Sequence, residues 1–281
     1  MEYKKGFKIK PKYVTSIGNV IFTDGTNDVE PNQLTCEAYG YTYNEATGTC
    51  TAFDYNTKIT NTSDNIYNIV NGELNTTNIG TENTSILGTN NTSSGNNLNV
   101  LISGKNHLVD NGLNDSSIIA GSFAQARNQG EVVMGGGGFG TTLALAQTSF
   151  IQQSGNTTDN TQTLLYTQYI TNKYIEKVPN AVLGFEVHIV GVNTGEGAGT
   201  AGQYGYIQVL GAVTFTNGLA STYHQHQNYI VNSGTSGLHL NAVMKDATAT
   251  SFGVAVTGLA ETYIQWTAEV KLWQNKITQT I

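Results

Sequence analysis

Asn83–Gly121 reads NTSILGTNNTSSGNNLNVLISGKNHLVDNGLNDSSIIAG, short apolar pairs set between turns of Asn, Ser and Gly. The pattern extends both ways. Ile69-Val70-Asn71-Gly72, Ile86-Leu87-Gly88, Leu101-Ile102-Ser103-Gly104, Ile118-Ile119-Ala120-Gly121 and Val132-Val133-Met134-Gly135 align, their first residues 17, 15, 17 and 14 positions apart. Asn65, Asn83, Asn99 and Asp115 stand ahead of successive clusters. A self-similar period outweighs any local motif as evidence for architecture. A period of about 16 is too short for a helical repeat, but two short strands and two turns use that length, which makes one coil of a β-roll.

Each coil offers only two or three large apolar side chains, too few to cover both faces of a lone solenoid. Three chains around one axis would bury them together, so the expected trimer core is Ile69, Val70, Ile86, Leu87, Leu101, Ile102, Ile118, Ile119, Val132 and Val133. The repeat also decides the reading of MGGGGFG at 134–140, where Gly135, Gly137 and Gly140 formally satisfy G-x-G-x-x-G. A dinucleotide site needs a βαβ unit and an acidic residue about 20 positions on, and no such unit surrounds this stretch. Gly135 instead stands in register with Gly72, Gly104 and Gly121, where glycine permits positive φ and close backbone approach.

The 281 residues are only 12% charged, with 32 glycines and a formal charge of −7. Small uncharged polar residues suit stacked strands and turns, and the acidic balance argues against a nucleic-acid partner. No apolar run reaches the length of a signal peptide or of a membrane span. Five of the 13 basic residues, Lys4, Lys5, Lys8, Lys10 and Lys12, crowd the first 13 positions and alternate with Phe7 and Ile9. That peptide is either a solvated tail or a docking strand for an acidic surface. Cys36 and Cys50 bracket a turn, which allows a disulfide, and two thiols alone do not make a zinc site.

From about residue 162 the period changes to two. Phe185, Val187 and Ile189 share one strand face, as do Ile264, Trp266, Ala268, Val270 and Leu272, so a β-sandwich is expected. His224 and His226 fall on one face of a strand, a pair that three-fold symmetry would turn into a transition-metal site; the alternative is an outward pair that binds nothing. Tyr204, Tyr206, Tyr223 and Tyr229 are expected off the core face, and Trp273 lies out of the inward register of Trp266. No G-x-S-x-G occurs, and Glu186, Glu196, Asp246, Glu261 and Glu269 show no spacing that predicts a catalytic pair.

NTSILGTNN, NVLISGKNH, DSSIIAGSFAQARNQG and VVMGGGG resemble the head repeats of trimeric autotransporter adhesins and of bacteriophage fibre proteins. AQTSFIQQSGNTTDNTQT, VLGFEVHIVGV and GVAVTGLAETYIQWTAEVKL resemble the β-rich end domain that follows such rolls in phage proteins. The resemblance implies an all-β, elongated homotrimer: an attachment segment at 1–55, a left-handed parallel β-roll stalk at 56–140, a linker at 141–161 and a jelly-roll-like β-sandwich knob at 162–281. It implies a structural and adhesive virion protein without enzymatic activity and without a required cofactor, a capsid head fibre in the first place and a tail fibre or depolymerising spike as the alternative. Its partners would be copies of itself, capsid or tail proteins through the lysine-rich peptide, and a host-surface glycan or protein.

Overall fold

The computed structural model describes residues 3–15, 18–45, 47–52, 67–136, 142–232 and 240–277. Among them the chain is all-β apart from one six-residue helix, Gln33–Ala38. It divides into two units, Met1–Ile59 and Thr60–Ile281.

In the first unit the strands Lys10–Val14, Val20–Thr23 and Asp28–Val29 form an antiparallel sheet. The lysine-rich peptide is therefore no free tail. Lys10 and Lys12 lie in the sheet, Lys12 pairs with Asp28 at 2.5 Å, and Phe7 meets the Tyr39 ring edge-on at 6.1 Å. Ile9 packs against a small core of Val20, Phe22, Cys36 and Cys50, while Lys4, Lys5 and Lys8 stay exposed. Asn32 caps the helix by accepting from the Thr35 N–H at 2.9 Å. Cys36 and Cys50 are disulfide-bonded. For so short a loop the cross-link contributes about 3 kcal/mol, which matters where the core is four residues.

The second unit opens as a β-solenoid of about four turns. Ile69–Glu73, Ser85–Thr89, Leu101–Lys105, Ser117–Ala120 and Val132–Gly135 stack in parallel on one side. Thr76–Thr77, Thr92–Ser93, Leu108–Val109 and Gln125–Ala126 stack on the other. The register pairs Val70, Ile86, Ile102, Ile118 and Val133. Aligned on these residues the repeat is 16, 16, 16 and 15 long; the uneven spacing read from the sequence came from aligning Ile69 with Ile86, whereas Ile69 pairs with Ser85 and Ile86 with Val70.

Those five residues turn into the chain's own interior, where Ile86, Ile102, Ile118 and Val133 are fully buried. The expectation that a lone chain cannot bury them is corrected. The interior is narrow: Val100, Val109, Leu113, Ala124 and Ala126 complete its apolar cluster, so a few aliphatic side chains per coil fill it. Asparagine finishes the corners, because its side chain tolerates positive φ; Asn83, Asn90, Asn96, Asn99 and Asn106 all adopt it. Inside, Asn75 Oδ1 accepts from the Asn91 N–H and Asn91 Oδ1 from the His107 N–H, each at 3.0 Å, linking coil to coil. Gly88 is obligatory: its φ is +122° and an added Cβ would sit 1.9 Å from the Gly104 carbonyl oxygen.

At Val132–Gly135 the chain reverses. The Ala146–Thr157 strand pairs antiparallel with it, followed across the same sheet by Thr262–Lys276, Ala181–Gly197, Tyr204–Phe215 and Ser221–Asn232. This corrects the linker expected at 141–161, most of which is a twelve-residue strand. It also corrects the expected separateness of the end domain: one eleven-stranded sheet runs through both regions. A second sheet of Gln162–Leu164, Ile175–Glu176, Asn241–Asp246 and Ser251–Thr257 covers the inner face of the long strands. Phe185, Val187, Ile189, Phe215, Phe252 and Trp266 share the core between them. Of the glycine run, Gly135 ends a strand and Gly137–Gly140 lie outside the described residues.

Candidate functional site

Alternation along a strand puts every second side chain on the face away from the core, and the end domain's outward face carries chemistry. Across adjacent strands one row holds His226, Leu210, Glu186, Lys271 and Phe150; the next holds Asn228, Gln208, His188, Glu269 and Gln152. Glu186 Oε1 accepts from Gln208 Nε2 at 2.9 Å and lies 3.0 Å from His188 Nε2. The other ring nitrogen, Nδ1, is 2.5 Å from the Tyr206 hydroxyl, and the two rings stack. Lys271 Nζ sits 5.6 Å from the Phe150 ring centre and 4.8 Å from that of Trp273. Glu186 pairs with Lys271 and His188 with Glu269, so the two carboxylates are diagonal neighbours, about 7 Å apart at the backbone in sheets generally. The arrangement offers a fixed carboxylate acceptor, a second carboxylate across from it, and aromatic faces beside a cation.

The expected site residues sort as follows. His224 and His226 are exposed on this outward face, opposite Ala212 and Leu210. Among the described residues no group of three or more His, Cys, Asp or Glu is placed to hold a metal ion. Tyr204, Tyr229 and Trp273 are exposed. Tyr223 corrects its expectation, for it packs against the core and its hydroxyl donates to Asp246 at 2.6 Å; burial, then Asp246, push its pKa far upward. In the solenoid the expected trimer core divides in two. Val70, Ile86, Ile102, Ile118 and Val133 point inward, whereas Ile69, Leu87, Leu101 and Ile119 point outward and are 40 to 59% exposed. Outward Val132 pairs with outward Phe150 across the turn into the end domain, so the two outward faces are continuous.

The Glu186–His188–Tyr206–Gln208 network was not anticipated. Glu-x-His within a period-two run was its local signal, placing both side chains on one face. Which strands lie beside it is a tertiary fact.

No protein-family model and no curated protein matches the chain. Among the solved structures similar to it are three phage tailspikes. The tailspike protein gp49 of Acinetobacter baumannii bacteriophage Fri1, a capsular polysaccharide depolymerase, is 10% identical over 79% of this chain and 49% of its own, with a TM-score of 0.29. The tailspike of Acinetobacter baumannii phage AM24 is 7% identical over 76% and 50%, with a TM-score of 0.26. That of Acinetobacter phage vB_ApiP_P1 is 10% identical over 75% and 47%, with a TM-score of 0.22. The chain thus spans about half the length of each, and likeness at this level shows no shared family. The expectation that the chain is not an enzyme is nevertheless withdrawn. A depolymerase stands among the similar structures, and a missing hydrolase motif excludes nothing when Glu186 and Glu269 stand diagonally on one sheet face.

Proposed function

We propose that the protein is a phage attachment protein, a virion-borne spike or fibre that binds polysaccharide on the host surface. The observation that carries this reading is the outward face of the end-domain sheet. Trp273 and Phe150 offer flat apolar faces, Glu186, Gln208 and His188 offer hydrogen-bonding groups held in place by one another, and Glu269 stands across from His188. Sugars present the matching pair of surfaces, an apolar ring face and a rim of hydroxyls. The head-fibre expectation is not carried forward; the similarity to tailspikes fits a receptor-binding role better. Adsorption of the purified, labelled protein to host cells tests the reading. Trp273→Ala is expected to lower adsorption about tenfold with folding intact, and undiminished adsorption would remove this face from it.

A homotrimer belongs to the proposal. Ile69, Leu87, Leu101 and Ile119 project from successive coils of the solenoid beside small residues such as Ser85 and Ser103, a ridge-and-gap surface suited to further copies of itself. Sedimentation should give three times the 30.1 kDa chain mass, and Leu101→Lys should yield monomer.

A second reading, cleavage of that polysaccharide, is favoured by the Glu186–Glu269 pair. Glycosidases work with two carboxyl groups flanking the scissile bond, one as acid and one as base or nucleophile. In that scheme Glu186, which accepts from Gln208 and stands across from Lys271, acts as base toward water, and Glu269 acts as acid toward the glycosidic oxygen. Reducing ends released from host capsule and abolished in both Glu186→Gln and Glu269→Gln would support it; no release by the wild-type protein would end it.

A further inference from the structure

One corner column running along the solenoid holds Leu74, Asn90, Asn106 and Phe123, with φ of 58°, 56°, 57° and 56°. Asparagine accepts that backbone region readily, whereas a bulky aromatic there is an outlier that persists only where the surroundings hold it. Phe123 is held from both sides: its N–H donates to the Lys105 carbonyl at 3.1 Å, and its own carbonyl accepts from the Ala144 N–H at 2.6 Å. The ring forms one wall of a cleft of about 400 Å³ that is also lined by Asn90, Thr92, Asn106, Leu108 and Leu143. Asn90 Nδ2 donates to Asn106 Oδ1 at 2.7 Å. No third amide continues this ladder, because Phe123 stands in its place, and Asn106 lines the cleft together with Phe123.

None of these lining side chains carries a charge. His107, which also borders the cleft, is 2% exposed, and burial holds its pKa below the ordinary imidazole range, so it is neutral at physiological pH. The cleft thus combines an aromatic plate, two amides and a hydroxyl in a neutral setting. That differs from the end-domain face with its carboxylates and lysine.

We infer that the Phe123 cleft binds a neutral sugar unit of a polysaccharide, with the ring face stacked on Phe123 and its hydroxyl or acetamido groups bonded to Asn90, Thr92 and Asn106. The inference rests on the attachment reading and supplies its ligand class. Stacking suits the apolar face of a pyranose, amides give and accept hydrogen bonds in one plane, and a cleft without a cation leaves the carboxylate of an acidic sugar unpaired.

The test is binding of the full-length protein to an array of neutral and acidic glycans, followed by titration with the best neutral oligosaccharide. Wild type is expected to select neutral glycans, and Phe123→Asn to weaken binding at least tenfold while its melting temperature stays level or rises, since Asn suits that corner. A second variant, Asn106→Ala, is expected to weaken binding about fivefold. A packing role for Phe123 gives the reverse pattern, a lower melting temperature with binding retained, and overturns the inference. Selection of acidic glycans alone overturns it too. So does binding to none while the protein still adsorbs to host cells, a result that leaves the attachment reading standing. Absence of adsorption strikes that reading instead.

Discussion

Between Ile69 and Gly135 the coils turn Val70, Ile86, Ile102, Ile118 and Val133 inward onto a narrow cluster with Val100, Val109 and Leu113, and each coil bonds itself to the next through interior amides. In the end domain, strands of up to seventeen residues gather Phe185, Phe215, Phe252 and Trp266 with their aliphatic neighbours into one cluster. Both regions belong to the same sheet, yet their stabilities have different geometry. A solenoid is close to one-dimensional, so each coil depends chiefly on its two neighbours. A two-sheet core is shared, and a loss anywhere in it is felt by every strand. The consequence for function is a division of labour: a stack whose length is set by coil number, and a rigid platform that can hold Glu186 and His188 in one geometry.

The largest effect expected is at Trp266. Its ring is buried, its Nε1 donates to Thr157 Oγ1 at 2.9 Å, and an added Cβ at Gly191 would lie 2.7 Å from it. Trp266→Ala should cost about 3–5 kcal/mol in chemical denaturation and unfold the end domain as a whole. A cost under about 1 kcal/mol would break the picture of a shared core.

Next comes Ile102→Ala, which opens a cavity in one coil at a cost of about 2–4 kcal/mol. Hydrogen exchange should show protection falling in Ser85–Thr89, Leu101–Lys105 and Ser117–Ala120 while the Ala181–Gly197 strand keeps its own. Equal loss in both regions would mean that the sheet transmits strain along its whole width, and the contrast between local and shared stability would fail.

The same contrast explains what could be read from residues alone. The solenoid was legible because its period, its Asn corners and its stacked glycines repeat, and a repeat constrains register without tertiary knowledge. The face of each residue was less legible. Ile86-Leu87 and Leu101-Ile102 look equivalent, but parallel register sends Ile86 and Ile102 inward and Leu87 and Leu101 outward. In the end domain the inward faces were legible from alternation, as Phe185-Val187-Ile189 and the Ile264-to-Leu272 run bear out. The linker was misread because Ala146–Thr157 alternates Gln147, Ser149, Ile151 and Gln153 inward, a face too polar to announce a core strand. Gln153 earns its burial by accepting from the Val254 N–H of the opposite sheet at 2.9 Å. The Glu186–Glu269 diagonal depends on which strands are neighbours, and nothing local encodes that.

The smallest effect expected separates the two regions by pH. His107 occupies the interior position that Asn75 and Asn91 hold in the preceding coils, and it copies half of their role: Nδ1 accepts from the Ala124 N–H at 3.1 Å. Nε2 is buried without a well-formed hydrogen bond, the Gly121 and Ser103 backbone being too poorly placed to offset its burial, where Asn91 Nδ2 donates to the Gly104 carbonyl at 3.0 Å. Burial lowers the folded-state pKa below the ordinary value of 6.5, and a proton on Nδ1 would face the Ala124 N–H. The unfolded ring therefore takes up its proton first as pH falls. Solenoid stability is complete above about pH 6.5 and declines as pH drops from there through the folded-state pKa. His107→Asn removes the titrating group and supplies the second hydrogen bond, a gain of about 1 kcal/mol at neutral pH. Exchange rates of the Leu108–Val109 amides at pH 7.5 and 5.0 measure the difference: wild type should lose protection in acid relative to the variant, while Ala181–Gly197 behaves alike in both. A wild-type solenoid as protected at pH 5.0 as the variant would show that the buried imidazole finds an acceptor for its proton within the coil.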